Sequence, residues 1–287
     1  MKIKTNYHSH NTFCDGKSTM EEMVLSAIER RFTHFGISSH APVPNDDPFA
    51  LANSDVQAYK DEFYRLKDKY SNKIKLFLSL EMDYITDIVE DLEYKAHEVY
   101  KLDYFIGSVH QVKEHNNEKQ TWFIDGSKQE SYDYGLREVF KQDIKRGVTC
   151  FYNQQIEMIE TNRPDILGHC DKIVMHNKDR YFKEDENWYK ELVYNLFDVV
   201  IKYNTIVEVN TRGIYKKRND DFYPSTFWLK YLIEKNVPLT ISTDCHKAEE
   251  TDGYYKETLD CLKELHCKEL YYFDGEWRAE KIDNFFA

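Results

Sequence analysis

The chain predicts an α/β fold in which parallel strands close into a barrel. Three observations carry this. Short β-branched or apolar runs alternate with longer helical patterns along the whole sequence. The length, 287 residues, suits one large α/β domain, here 1–287. The longer connections, 41–53, 111–130 and 211–224, carry Pro, Asn, Asp or Gly, and each comes after a strand, where substrate loops of a barrel lie.

Seven strands are expected: 2–7, 34–39, 74–81, 103–109, 165–168, 205–210 and 238–243. The helix over 18–31 opens with a capping box, Ser18 with Glu21 three residues on, and turns Met20, Val24, Ala27 and Ile28 to one face. Similar stripes predict helices over 54–70, 91–101, 186–203, 225–236 and 258–267. The stretch 131–163 also reads as helical, with Gly147 as a break.

Composition narrows the function. Net charge is −12 and the pI about 5.4, and no basic stripe is present, so a nucleic-acid surface is not expected. No run approaches a membrane span. The N-terminal MKIKTNYHSH shows no signal peptide, and the six cysteines form no CxxC pair, which predicts reduced thiols in a cytoplasm.

The residues at the ends of the strands carry the chemistry. His8 and His10 come after the first strand, His40 after the second, Glu81 ends the third, and His110 comes after the fourth. His169 comes after the fifth, and Asp244 and His246 after the seventh. Parallel strands of a barrel end on one rim, so these residues and Asp15 should converge there. Unpaired, such carboxylates would repel one another, and bound divalent cations resolve the conflict. Imidazole and carboxylate donors suit Zn, Mn or Fe. An isolated HxH is a weak signal; donors after six of seven strands are a strong one. The other histidines, His34, His97, His115, His176 and His266, fall before a strand, in helices or in loops, and read as ordinary residues. Cys14, Cys170 and Cys245 neighbour candidate ligands and read as packing residues.

The motifs YHSHNTFCDG, FGISSHAP, LSLEMDY, DYFIGSVHQV, DILGHCDKI, VEVNTRGIYK, YPS and ISTDCH resemble those of the polymerase and histidinol phosphatase (PHP) family, in its histidinol-phosphate phosphatase branch. The resemblance implies a distorted (β/α)7 TIM-like barrel with two or three transition-metal ions on its carboxyl rim. It implies one ion on His8, His10, Glu81 and Asp244, a second on Glu81, His110 and His169, and a third on Asp15, His40 and His246. Asp15 stands where many relatives carry histidine, and a carboxylate ligates as well.

The expected reaction is hydrolysis of a small phosphate monoester, L-histidinol phosphate to L-histidinol and phosphate, by in-line attack of a metal-bridging hydroxide. Arg212 is the first candidate for gripping phosphate and Arg163 the weaker one. Asp244 and His246 are the candidates for proton transfer. Glu208, Asp46, Asp47 and Asp83 are possible contacts for the imidazole and amine. The alternatives are a nucleotide, nucleic-acid or phosphotyrosine esterase of the same family, and a catalytically silent metal-binding scaffold.

Overall fold

A computed structural model of the chain describes residues 2–44, 47–89, 91–115 and 120–287. Its strands are β1 (Thr5–Asn6), β2 (His34–Ile37), β3 (Lys75–Leu78), β4 (Glu81–Asp83), β5 (Ile106–Ser108), β6 (Gln111–Val112), β7 (Trp122–Phe123), β8 (Ile166–Leu167), β9 (Ile206–Asn210), β10 (Leu239–Ser242), β11 (Glu269–Phe273) and β12 (Trp277–Lys281). Two parallel sheets form the centre, ordered β1-β2-β3 and β10-β9-β8-β5-β4. Single parallel bridges join them at both junctions, His40 to Glu81 and Ser9 to Cys245. The Ala41 amide donates to the Glu81 carbonyl at 2.7 Å and that of His10 to the Cys245 carbonyl at 2.8 Å. The seven strand positions thus meet in a distorted ring, and the expected third strand, 74–81, is broken at Ser79 and Leu80 into β3 and β4.

Helices connect the strands, since parallel pairing of neighbouring strands requires a crossover. The helix Met20–Glu29 leads from β1 to β2 and Val56–Lys69 from β2 to β3. Gln129–Phe140 and Ile144–Asn162 precede β8, Asn187–Tyr203 precedes β9, and Thr226–Glu234 precedes β10. The capping box lies one residue later than expected: Thr19 accepts from the Glu22 amide at 3.2 Å, and Glu22 Oε2 accepts from the Thr19 amide at 2.7 Å. Ser18 is engaged elsewhere, its hydroxyl accepting from the Ala248 amide. Gly147 does not break a helix. The break falls at Lys141 and Gln142, both with positive φ, and Gly147 lies inside the next helix, where a Cβ would come 2.7 Å from the Trp122 ring. The segment expected as a helix over 91–101 is one α turn, Leu92–Tyr94, running into a π turn, Lys95–Tyr100.

Two antiparallel hairpins were not expected. β6 pairs with β7 inside the long loop after β5, and β11 pairs with β12 near the end of the chain. The second turns at Asp274 and Gly275, with Gly275 at φ +83°, a turn that aromatic runs flanking Asp-Gly could have signalled. It closes the amino end of the ring: the Phe273 amide donates to the Tyr7 hydroxyl at 2.7 Å, and Trp277 donates to Asp165 at 3.1 Å. Tyr7, Tyr104, Phe273 and Trp277 pack there ring on ring. Among the described residues no helix is long and apolar enough to cross a membrane.

Candidate metal centre

At the carboxyl end of the ring the strands deliver their polar residues. Pleating sends His8 and His10, two residues apart beyond β1, to one side. Glu81 opens β4, His110 stands two residues beyond β5, His169 two beyond β8, and Asp244 two beyond β10. His169 and Asp244 have φ of +22° and +49°. Left-handed backbone costs a non-glycine residue of order 1–3 kcal/mol, and such strain gathers where surrounding contacts over-determine it.

Glu81 is the hub. Its Oε1 lies 2.8 Å from His169 Nε2 and 3.3 Å from His110 Nε2. Its Oε2 lies 3.0 Å from His40 Nδ1, 3.2 Å from His8 Nε2 and 3.5 Å from His10 Nε2. Asp244 Oδ1 stands 3.3 Å from His10 Nε2 and 4.0 Å from His8 Nε2. Asp15 Oδ1 lies 3.2 Å from His246 Nε2 and 3.7 Å from His40 Nε2. All nine residues expected at the rim are therefore brought together. Their ligating atoms form four overlapping groups, each within 4.8 Å: His8, Glu81 and His169; His8, His10 and Asp244; His40, Glu81 and His110; and His10, Asp15, His40 and His246. No cysteine belongs to these groups. Burial pushes the Cys170 and Cys245 thiols up, which suits packing residues.

These donors fit divalent ions. Among the described residues His8 Nε2, His10 Nε2, Asp15 Oδ1 and Glu81 Oε2 are buried atoms with no hydrogen-bond partner. Buried polar atoms are almost always satisfied, so several orphans gathered at one rim fit bound cations as their partners. Two imidazole nitrogens, His110 Nε2 and His169 Nε2, also face each other at 3.3 Å. The electrostatics agree. Burial would push the Glu81 carboxyl up, but the His8, His110 and His40 imidazoles override it and hold it well below the usual range. Burial, with His246 and His40 beside it, drives His10 well below the usual imidazole value, which keeps a lone pair available.

The cluster opens into a cavity of about 260 Å³. Phe49 and Phe123 stack across it at 5.8 Å. Arg212 lines it, 8% exposed, and donates to the Asp244 carbonyl. The structure does not bring Arg163 here. It precedes β8, at the opposite end of the strands, and lies exposed with its guanidinium 3.8 Å above the Tyr203 ring. The five remaining histidines also lie outside the cluster; His34, for example, is buried against Phe77 and Tyr272.

Sequence reasoning missed Lys172 and Asp125. Lys172 Nζ lies 2.9 Å from Asp125 Oδ2 and 3.6 Å from Asp244 Oδ2, and both side chains line the cavity. Burial opposes the Lys172 charge, and Asp125, Asp244 and Glu81 more than offset it. Lys172 stands in the motif DILGHCDKI, three residues after His169, so its neighbourhood was visible though its role was not. Glu208 and Asp83 are not surface acids awaiting an amine. Glu208 accepts from His8 Nδ1 at 2.8 Å, and Asp83 accepts from the His110 amide at 2.8 Å. Asp47 is exposed and does not line the cavity, and Asp46 lies outside the described residues.

An α/β ring with a carboxylate hub among imidazoles at one rim defines a class of metal-dependent hydrolases. The PHP domain model matches residues 6–212, most of the chain, and the chain belongs to that family. The histidinol-phosphatase of Bacillus subtilis (strain 168) is 22% identical over 269 residues, covering 90% of this chain and 98% of its own. The crystal structure of a candidate histidinol phosphatase from Listeria monocytogenes superimposes with a TM-score of 0.75 at 23% identity, over 88% of this chain and 99% of that one. That of histidinol phosphate phosphatase from Lactococcus lactis subsp. lactis, complexed with Zn, L-histidinol and phosphate, does so with a TM-score of 0.66 at 20% identity, over 97% and 99%. At these identities the structural likeness carries the fold.

Proposed function

We propose that the chain, read as one domain over residues 1–287, hydrolyses L-histidinol phosphate to L-histidinol and inorganic phosphate with the help of divalent metal ions. The observation that carries this is the set of unpartnered, buried imidazole and carboxylate atoms beside a cavity lined with cations. The Bacillus relative's name and the ligands in the Lactococcus structure support the choice of ester.

Two or three ions of the Zn, Mn or Fe type fit the donor set His8, His10, Asp15, His40, Glu81, His110, His169, Asp244 and His246. When bound, such ions supply a nucleophile at neutral pH and neutralise charge on the phosphoryl group. Arg212 and Lys172 add fixed positive charge where the phosphate oxygens enter. Arg212 is held for this: its link to the Asp244 carbonyl and a 3.4 Å contact to the Tyr215 hydroxyl fix the guanidinium at the wall. His246 Nδ1 donates to the Asp244 carbonyl at 3.1 Å, which leaves Nε2 with its lone pair facing Asp15. Asp244 and His246 line the cavity and are assigned to proton handling at the leaving oxygen. The small cavity and the acidic net charge favour a small ester over a nucleic-acid strand.

The test is a kinetic comparison after loading with Zn, Mn or Fe in turn. L-histidinol phosphate should be turned over faster than a dinucleotide, single-stranded DNA or a phosphotyrosine peptide. Preference for one of those would replace the substrate. Metal-loaded protein inactive on every ester would replace the enzyme with a scaffold.

A further inference from the structure

The third residue of β9, Glu208, has no access to solvent and does not line the cavity, so it meets neither substrate nor bulk water. A buried carboxylate needs partners, and Glu208 has three. Its Oε2 accepts from His8 Nδ1 at 2.8 Å. Its Oε1 accepts from the His169 backbone amide at 2.8 Å and from Asn210 Nδ2 at 2.9 Å. The same Asn210 amide group lies 3.3 Å from Asp244 Oδ2.

Each contact constrains a candidate ligand. A carboxylate oxygen only accepts, so the proton of the His8 ring sits on Nδ1 and the lone pair on Nε2. Nε2 is the orphan atom that faces Glu81 and Asp244. The backbone contact holds His169 in its left-handed turn, which aims the ring at Glu81. Asn210 passes the support on to Asp244. His8 shares one donor group with Asp244 and a second with His169, so the contacts of Glu208 reach both groups. Among the described residues the hydrogen bonds of Glu208 reach none of Asp15, His40 and His246.

We propose that Glu208 is a positioning residue shared by two metal positions, so that the ion near His8 and Asp244 and the ion near His169 bind or leave together. This rests on the proposed metal centre. Glutamine at 208 keeps the shape but offers one oxygen where two are used, and its amide nitrogen would oppose a donor. Partners that orient metal ligands through hydrogen bonds are commonly worth about 10- to 100-fold in metal affinity.

The test is a calorimetric Zn²⁺ titration of the full chain after chelation, for wild type and Glu208→Gln. The expected result is that two ions weaken in parallel, each by about 10- to 100-fold. A loss under about threefold, or one confined to a single ion, would overturn the proposal. A second measurement needs no variant. In Zn-loaded wild type labelled with ¹⁵N in its histidines, the His8 ring should show a protonated, slowly exchanging Nδ1 and a metal-shifted Nε2. The opposite tautomer would overturn the proposal even if Glu208→Gln does not fold. Wild type that takes up no Zn²⁺ would overturn the metal centre and this inference with it. Normal uptake by both proteins would overturn this inference alone.

Discussion

The two ends of the ring bury histidine in opposite ways. At the carboxyl end His8 is wholly buried among carboxylates, and at the amino end His34 is equally buried among aromatic rings. With no cation bound, Glu208, Glu81 and Asp244 would favour a protonated His8 against the cost of burial, and a cation at Nε2 would take the place of that second proton. Burial, reinforced by Lys75, lowers His34 to about 4. Loss of water is therefore common to both ends, and partner charge separates a site from a core. Among the described residues the amino end leaves His34 Nε2 without a hydrogen bond but pairs other polar groups: Tyr104 donates to the Tyr7 carbonyl at 2.6 Å, the Tyr7 hydroxyl accepts from the Phe273 amide of the C-terminal hairpin, and Trp277 of that hairpin donates to Asp165. The carboxyl end differs in gathering several such atoms on imidazoles and carboxylates at one rim, a donor set that fits bound cations.

Breaking the hub should have the largest effect. Glu81→Ala removes the carboxylate that five imidazoles face. It should lower bound metal and kcat/KM by more than roughly 100-fold, beyond the range for merely orienting partners; elemental analysis and turnover of L-histidinol phosphate check this. Chelation of wild type should do the same reversibly.

The amino end should respond to acid rather than to metal. The folded His34 value lies below the unfolded one of about 6.5, so the unfolded chain binds more protons between pH 6.5 and 4. Stability from this residue is full above pH 6.5 and is lost as pH falls toward 4, roughly 3 kcal/mol in all. Urea unfolding of chelated protein at pH 7 and pH 5 should show a smaller difference for His34→Gln than for wild type. An equal difference would remove His34 from the account.

Arg212→Ala should cut kcat/KM for the phosphate ester by about 10- to 100-fold, the worth of a charge-assisted hydrogen bond of about 1.5–3 kcal/mol. Bound metal should be unchanged; unchanged kinetics would remove Arg212 from the phosphate site. The smallest effect belongs to Arg163. Its exposed stacking on Tyr203 is worth about 0.5–1 kcal/mol, so Arg163→Ala should leave kinetics untouched and lower stability slightly. A kinetic defect would return it to the substrate.

Much of this arrangement was legible because it is local. Alternation of strands and helices marks the ring, and a donor just past a strand end needs only that strand's direction to be placed. Arg163 failed by the same rule, since it stands before its strand and so at the wrong end. The break after Phe140 was misplaced because Gly147 is a packing glycine beneath Trp122, and a distant ring leaves no mark on the neighbouring residues. The C-terminal hairpin carried its Asp-Gly signal, but a seven-strand count left no place for it.

By itself the sequence determined the kinds of donor and the rim on which they gather, because ligand chemistry and strand polarity are properties of short segments. Only the tertiary structure decided which acid serves which imidazole. Glu208 and His8 are 200 residues apart, and Lys172 meets Asp125 and Asp244 across the ring. Pairing of buried charges depends on distances that exist only once the ring has closed, and no local pattern records them.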